Sequence, residues 1–284
     1  MQLLGCDFSS SPTRRKPIVV ARGQLCLEKR SVRLDELLHF ATLDGWSEWL
    51  TGDAHGTWVG GFDLPFGLPR ELVQALGWPT DWAACMDFYA GLSRAQIREQ
   101  FKAFCAARPV GGKFAHRATD LPAGSSSSMK WVNPPVAYML HAGLPRLRAA
   151  GLYFPGLQAH QAGAPRVALE AYPGLLARSI IGRRSYKSDV AAKQDEARHA
   201  VRLQLLAALE SGATATGLSL KLGADQRQSL LQDAKGDALD AVLCMLQAAW
   251  AAQRHAGGDA RYGLSTAMDG LEGAIVMADL PNFA

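Results

Sequence analysis

The chain opens on an apolar run that ends in an aspartate, QLLGCDF, and continues through PIVVARG and QLCLEKRSVRL. The turn-rich SSSPTRRK and a Gly-Gln step separate the three runs. Short apolar or alternating runs bounded by Gly, Ser and Pro predict strands, so these three form an antiparallel meander. DELLHFA and GWSEWL have helical spacing, and TWVGGFDLPFGLPR is a second apolar run ending in aspartate and punctuated by prolines. It predicts a strand that enters the sheet after a helical crossover. Two helical patterns occupy 79–107, and a Gly-, Ser- and Pro-rich loop over 108–135 holds an SSSS tract. A loop of that length is usually functional or mobile. PRVALEAYP predicts a further strand, followed by a short helix and a long polar helix from about Asp189 to Leu209. A final helix from about Asp225 to Arg254 and a closing strand in EGAIVMADL complete the pattern. With no internal repeat and no second hydrophobic core legible, the expectation is one α/β domain over 1–284 carrying a helical and loop insertion at 78–165.

At 284 residues, 48% hydrophobic and 20% charged, the composition is that of an ordinary globular protein. A net charge of +4 permits a polyanionic partner without requiring one. The five cysteines form no CxxC pair and most lie in apolar runs, which predicts free thiols in a reducing, cytoplasmic compartment. The opening LLGC lacks the basic and apolar regions that precede a lipoprotein cleavage box. The longest uncharged stretch, Ala241 to Ala252, falls short of the roughly 20 residues of a bilayer crossing, so no membrane span is expected.

Side chains alternate along a strand, so Leu3, Gly5 and Asp7 share one face, as do Val59, Gly61 and Asp63. Each aspartate stands at the carboxyl end of its strand. If the two strands are parallel neighbours, the aspartates lie roughly 5 Å apart, and a divalent cation is the usual remedy for their repulsion. Asp237 and Asp240 stand at i, i+3 on the final helix, whose Ala241, Cys244 and Ala248 are small enough for a close approach to a sheet. Each aspartate also has a plainer reading: Asp7 and Asp63 as turn residues, Asp237 as a helix cap, Asp240 as a complement to the helix dipole. Their combination favours a metal site. Four carboxylates converging without a cation repel, so at least one should have a raised pKa, and neutralising Asp240 should stabilise the metal-free protein.

GCDFSSS at Gly5, GGFDLPFGLPR at Gly60, LEAYPGLLAR at Leu169, the YK of SYKSD, GDALDAV at Gly236 and the closing EGAIV resemble an uncharacterised family of predicted RNase H-like nucleases. The resemblance implies an RNase H-like fold with a five-stranded mixed sheet. Its first three strands are antiparallel, its fourth and fifth are added in parallel, and the first neighbours the fourth. In the related RuvC-type junction resolvases, an acid on the first strand, one on the fourth and an i, i+3 pair on the last helix hold two metals. Asp7, Asp63, Asp237 and Asp240 occupy the matching places, with Asp where those enzymes carry Glu on the fourth strand. The implied cofactor is Mg²⁺ or Mn²⁺. Glu170, at the end of the fifth strand, is a candidate fifth catalytic carboxylate, or simply a charge at a strand end.

The leading expectation is therefore metal-dependent hydrolysis of phosphodiester bonds in DNA or RNA, with Asp7 bridging two cations. Basic clusters are available for phosphates: Arg14, Arg15 and Lys16; Lys113, His116 and Arg117; Lys130 beside Trp131; and Arg183, Arg184 and Lys187. Charge clusters are more often solvated surface, and a tryptophan is more often core than a base-stacking platform. Two other functions compete. GCDFSSSPT also resembles the phosphate loop of an ATP-dependent small-molecule kinase of the actin-like superfamily, although that class needs a second such domain. A nucleic-acid-binding relative that has lost catalysis is the third.

Overall fold

Alternation along the first strand divides the molecule into two apolar layers. The computed structural model describes residues 1–52 and 56–278. In β1 (Gln2–Asp7) Leu3 faces one core, shared with Val19 and Ala21, while Leu4 and Cys6 face the other, shared with Ile18 and Val20. β2 (Ile18–Cys26) and β3 (Ser31–Phe40) pair antiparallel with β1 and with each other. α1 (Leu43–Thr51), capped by the Thr42 hydroxyl, crosses to β4 (Trp58–Phe62), which runs parallel to β1. β5 (Arg166–Glu170) adds in parallel to β4. The described sheet has six strands in the order β5-β4-β1-β2-β3-β6, where β6 (Ser219–Lys221) is an edge strand parallel to β3. The mixed sheet and the adjacency of β1 and β4 are as expected. The sixth strand is an addition to the expected five, too short to leave a sequence signal.

Three boundaries differ from expectation. The Gly23-Gln24 step is no turn: β2 runs through it with a bulge between Arg22 and Gly23, and the hairpin turns at 27–30, where Arg30 has φ 46. DELLHFA is the second half of β3 rather than a helix, because pairing with β2 extends to Ile18↔Phe40. The final helix is two, α9 (Ala224–Gln232) and α10 (Asp237–Ala256). Gly236 separates them with φ 78, and a side chain there would strike Lys187. In EGAIVMADL the described residues contribute one isolated bridge, Glu170 to Ile275; Asp279 and Leu280 lie outside the described residues.

Helices cover both sheet faces. α10, buried from Ala238 to Ala252, packs with α7 (Pro173–Ile181) and α8 (Glu196–Ser211) in the core that contains Leu3 and Val59. On the opposite face α1 joins α2 (Arg70–Ala75), α3 (Trp82–Ala90), α4 (Arg94–Ala106) and α6 (Val136–Ala149). Between α4 and α6 the chain is mostly irregular, with one short turn of helix, α5 (Asp120–Ala123). Among the described residues no helix is long and apolar enough to cross a membrane, and all five cysteines are free.

Candidate functional site

β1 and β4 end side by side, and the Asp63 amide donates to the Cys6 carbonyl at 2.9 Å, so Asp7 and Asp63 emerge from adjacent strand ends. α10 lies across the same two strands because Gly5 and Gly61 have no side chain. A methyl on Gly5 would overlap the Ala241 carbonyl and the Met245 amide, and one on Gly61 the Cys244 carbonyl. Close docking delivers the first turn of α10, with Asp237 and Asp240, to the ends of β1 and β4. The sequence pattern credited this approach to small residues on the helix; the strand glycines are the other half of it.

The turn and cap readings of Asp7, Asp63 and Asp237 are not realised, while Asp240 does stand in the first turn of α10, where it complements the helix dipole. Among the described residues the Asp7, Asp63 and Asp237 carboxylates accept no hydrogen bond, so none serves a turn or a cap. The α10 amide of Ala238 is instead capped by Asp233, at 2.9 Å. Burial pushes Asp7 well above the usual carboxylate range, and Asp240 and Asp63 push it further. Asp63 is pushed up to about 7 by burial and then by Asp240. Burial and Asp233 raise Asp237. These shifts place the four carboxylates within one another's fields.

Asp240 is different. It is fully buried and accepts from the Tyr186 hydroxyl and the Lys187 ammonium. Burial still raises its pKa, with Lys187 the main opposing influence. Burial works against the charge on Lys187, yet Asp240 and Asp7 hold its pKa above the ordinary lysine value. Neutralising Asp240 would thus have two opposed effects: it relieves the repulsion felt by Asp7 and Asp63, as expected, and it strips a buried partner from Lys187.

Carboxylate oxygens are the hard ligands that Mg²⁺ and Mn²⁺ take, and three of these four carboxylates are free of hydrogen bonds. Their spacing is not that of a closed cage. Among the described residues no group of three or more His, Cys, Asp or Glu side chains is gathered to hold an ion, and the ammonium of Lys187 supplies the positive charge at Asp240. The donors fit a divalent cation in kind and charge; the present packing does not enclose one.

The other candidates divide. Glu170 and Arg117 are buried and paired with each other, at 2.6 and 2.8 Å, rather than offered to a metal or a phosphate. Arg117 also grips Asp120, and Glu170 accepts from the Phe66 amide at 2.9 Å. Lys113 lies over Phe114 and Trp131, and Trp131 is a core residue of the insertion. Neither Lys113 nor Lys130 lines a cavity at Asp63. Arg183, Arg184 and Lys187 do: with Arg178 they rim a cleft of about 340 Å³ that reaches Asp63 and Tyr172. Lys16 sits close enough to feel Asp237 and Asp7 and pairs with Asp189 at 2.9 Å. Sequence reasoning missed Tyr186 and the pairing role of Lys187, although the YK dipeptide carried part of the family resemblance.

A family model described as Protein of unknown function (DUF429) matches residues 5–266. No curated protein and no solved structure matches the chain.

Proposed function

The chain belongs to the DUF429 family, and from its site we propose that it is an RNase H-like hydrolase of phosphodiester bonds in nucleic acid. Asp7, Asp63, Asp237 and Asp240 would hold Mg²⁺ or Mn²⁺. The observation that carries this reading is the convergence of four carboxylates from three elements, three of them without hydrogen bonds, beside a cleft rimmed by arginines and lysine. Anionic walls repel a phosphate, and a bound divalent cation would neutralise that charge and acidify water for attack. The remaining work falls to the chain. Arg183 and Arg184 orient the phosphate backbone along the cleft. Lys187 keeps a proton on Nζ against Asp240 and lines the same cleft, where its charge would add to that of the arginines.

One observation favours a second reading, a binding protein without catalysis: Lys187 already neutralises Asp240. Calorimetric titration with Mn²⁺, followed by cleavage assays on single-stranded, duplex and branched substrates, separates the two. The hydrolase reading expects Mn²⁺ binding and cleavage, both abolished in Asp7→Asn. It also expects Arg183→Gln/Arg184→Gln to flatten the salt dependence of nucleic-acid binding by about one unit of log-log slope per lost contact. A folded protein that takes up no Mn²⁺ and cleaves nothing, while still binding nucleic acid, would establish the second reading.

A further inference from the structure

Two cavities meet at Asp63 and Tyr172, and their chemistry differs. The larger is the arginine-rimmed cleft. The smaller, of about 140 Å³, lies between the strand ends and the serine tract. Leu64, Val136 and Met139 give it apolar walls, the Tyr172 ring forms the side shared with the cleft, and Ser125 and Ser126 bring hydroxyls to it. Of its charged lining residues, Arg117 and Glu170 are paired with each other, Arg117 also with Asp120, and Asp63 stands on the side shared with the cleft. Phosphodiester hydrolysis by itself has no use for such a cavity, because a phosphate placed there would lose its hydration to apolar walls.

An anion cleft adjoining an apolar, ring-sized cavity matches the two halves of a nucleotide. A dry cavity of roughly 150 Å³ accepts benzene, so this one, of about 140 Å³ and partly open, can take the ring of a base with the rest of the base at its mouth. Arg178 lies over one face of the Tyr172 ring, 5.2 Å from its centroid, which leaves the other face for a base to stack on; the Ser126 hydroxyl can donate or accept along a base edge, while the Ser125 hydroxyl, which donates to Asp120, can accept. A base reaches such a cavity only when it is unpaired.

We propose that the smaller cavity receives one unpaired base of a strand whose phosphates lie along the arginine-rimmed cleft. The substrate class is then single-stranded or locally unpaired nucleic acid. The inference rests on the nucleic-acid reading of the site, and its test is binding with Ca²⁺ in place of Mg²⁺ or Mn²⁺, so that the carboxylate charge is offset while the readout does not depend on catalysis. Fluorescence anisotropy compares labelled oligo(dT), oligo(dA) and an abasic chain of the same length. Oligo(dT) and oligo(dA) are each expected to bind about tenfold tighter than the abasic chain, within the range for one base stacked on an aromatic ring. Met139→Trp fills the cavity from α6, and Ser126→Trp fills it from the opposite wall. In whichever of these melts cooperatively, the ratio of oligo(dT) to abasic affinity should collapse to about one.

Equal binding of oligo(dT) and the abasic chain by the wild-type protein overturns the proposal, as does failure of every oligonucleotide to bind. A ratio that survives in a folded, filled variant places the base elsewhere. Base-dependent binding with no Mn²⁺-dependent cleavage would sustain this cavity assignment while removing the hydrolase reading. Cleavage without base dependence would do the reverse.

Discussion

At the scale of single residues, half-buried Asp63 and fully buried Asp240 are two carboxylates with opposite consequences. Asp63 is pushed up to about 7, whereas in the unfolded chain an aspartate titrates near 3.9, roughly. Between those values the native state holds a proton that the unfolded state has lost. Stability from this group is therefore complete below about pH 4 and lost as pH rises through about 7. Asp63→Asn should flatten that slope and raise the metal-free melting temperature at pH 8, by a few degrees, with little change at pH 4. Melting curves across that range check it, and an unchanged slope would show that Asp63 is not the titrating group. Asp240→Asn should do the opposite at every pH above the carboxylate range. Lys187 loses its partner, and the expected cost is about 2 kcal/mol, below the ~3–5 kcal/mol of a fully buried pair because the ammonium still reaches water.

The same scale shows how much of the site the sequence carried. Strand alternation put Asp7 and Asp63 at the ends of apolar strands, and helical spacing put Asp237 and Asp240 on one face; both placements are local and need only backbone periodicity. Arg117 and Glu170 are 53 positions apart, and no local pattern reports that they face each other. Lys187 was legible as a basic residue near the site, but its commitment to Asp240 depends on how 183–188 packs against α10.

At the scale of elements, the site depends on how closely α10 lies on β1 and β4. Gly5→Ala would drive a methyl into the backbone of Ala241 and Met245, which no side-chain rotation relieves. Ordinary overpacking of a core costs roughly 1–3 kcal/mol; this substitution should exceed that, or displace the helix and separate Asp237 and Asp240 from Asp7. Urea denaturation measures the first outcome and loss of Mn²⁺ binding the second. A Gly5→Ala protein with wild-type stability and metal uptake would show that the contact is dispensable. Element types were legible in the long, strongly patterned runs and less so in the short ones. DELLHFA has a pattern that suits a helix, yet β2 supplies hydrogen bonds along its whole length, and a short apolar run follows the partner it finds.

At the scale of the whole molecule, Arg117 ties together parts of the chain that are distant in sequence. It binds Glu170 at the end of β5, Asp120 in the insertion and the Glu272 carbonyl in the C-terminal segment. The Glu272 carboxylate in turn accepts from the Arg70 and Ala118 amides, at 2.7 and 2.8 Å. Arg117→Ala leaves Glu170 and Asp120 buried without a counter-charge and should cost about 3–5 kcal/mol. Hydrogen exchange should show 115–128 and 270–278 opening together and ahead of the sheet. Independent opening of those two segments, or wild-type protection in the variant, would show that Arg117 does not couple them.

The amino-acid sequence determined the strand and helix types around the site, the meander, and the positions of its aspartates within their elements, because those follow from periods of two and 3.6 residues along the chain. The tertiary structure alone decided that Gly5 and Gly61 admit α10, that β6 extends the sheet, that Lys187 stands against Asp240 and that Arg117 belongs to Glu170. Each of these joins residues far apart in the chain. Their pairing is selected by the burial of charge and the close packing of backbones, which no local spacing encodes.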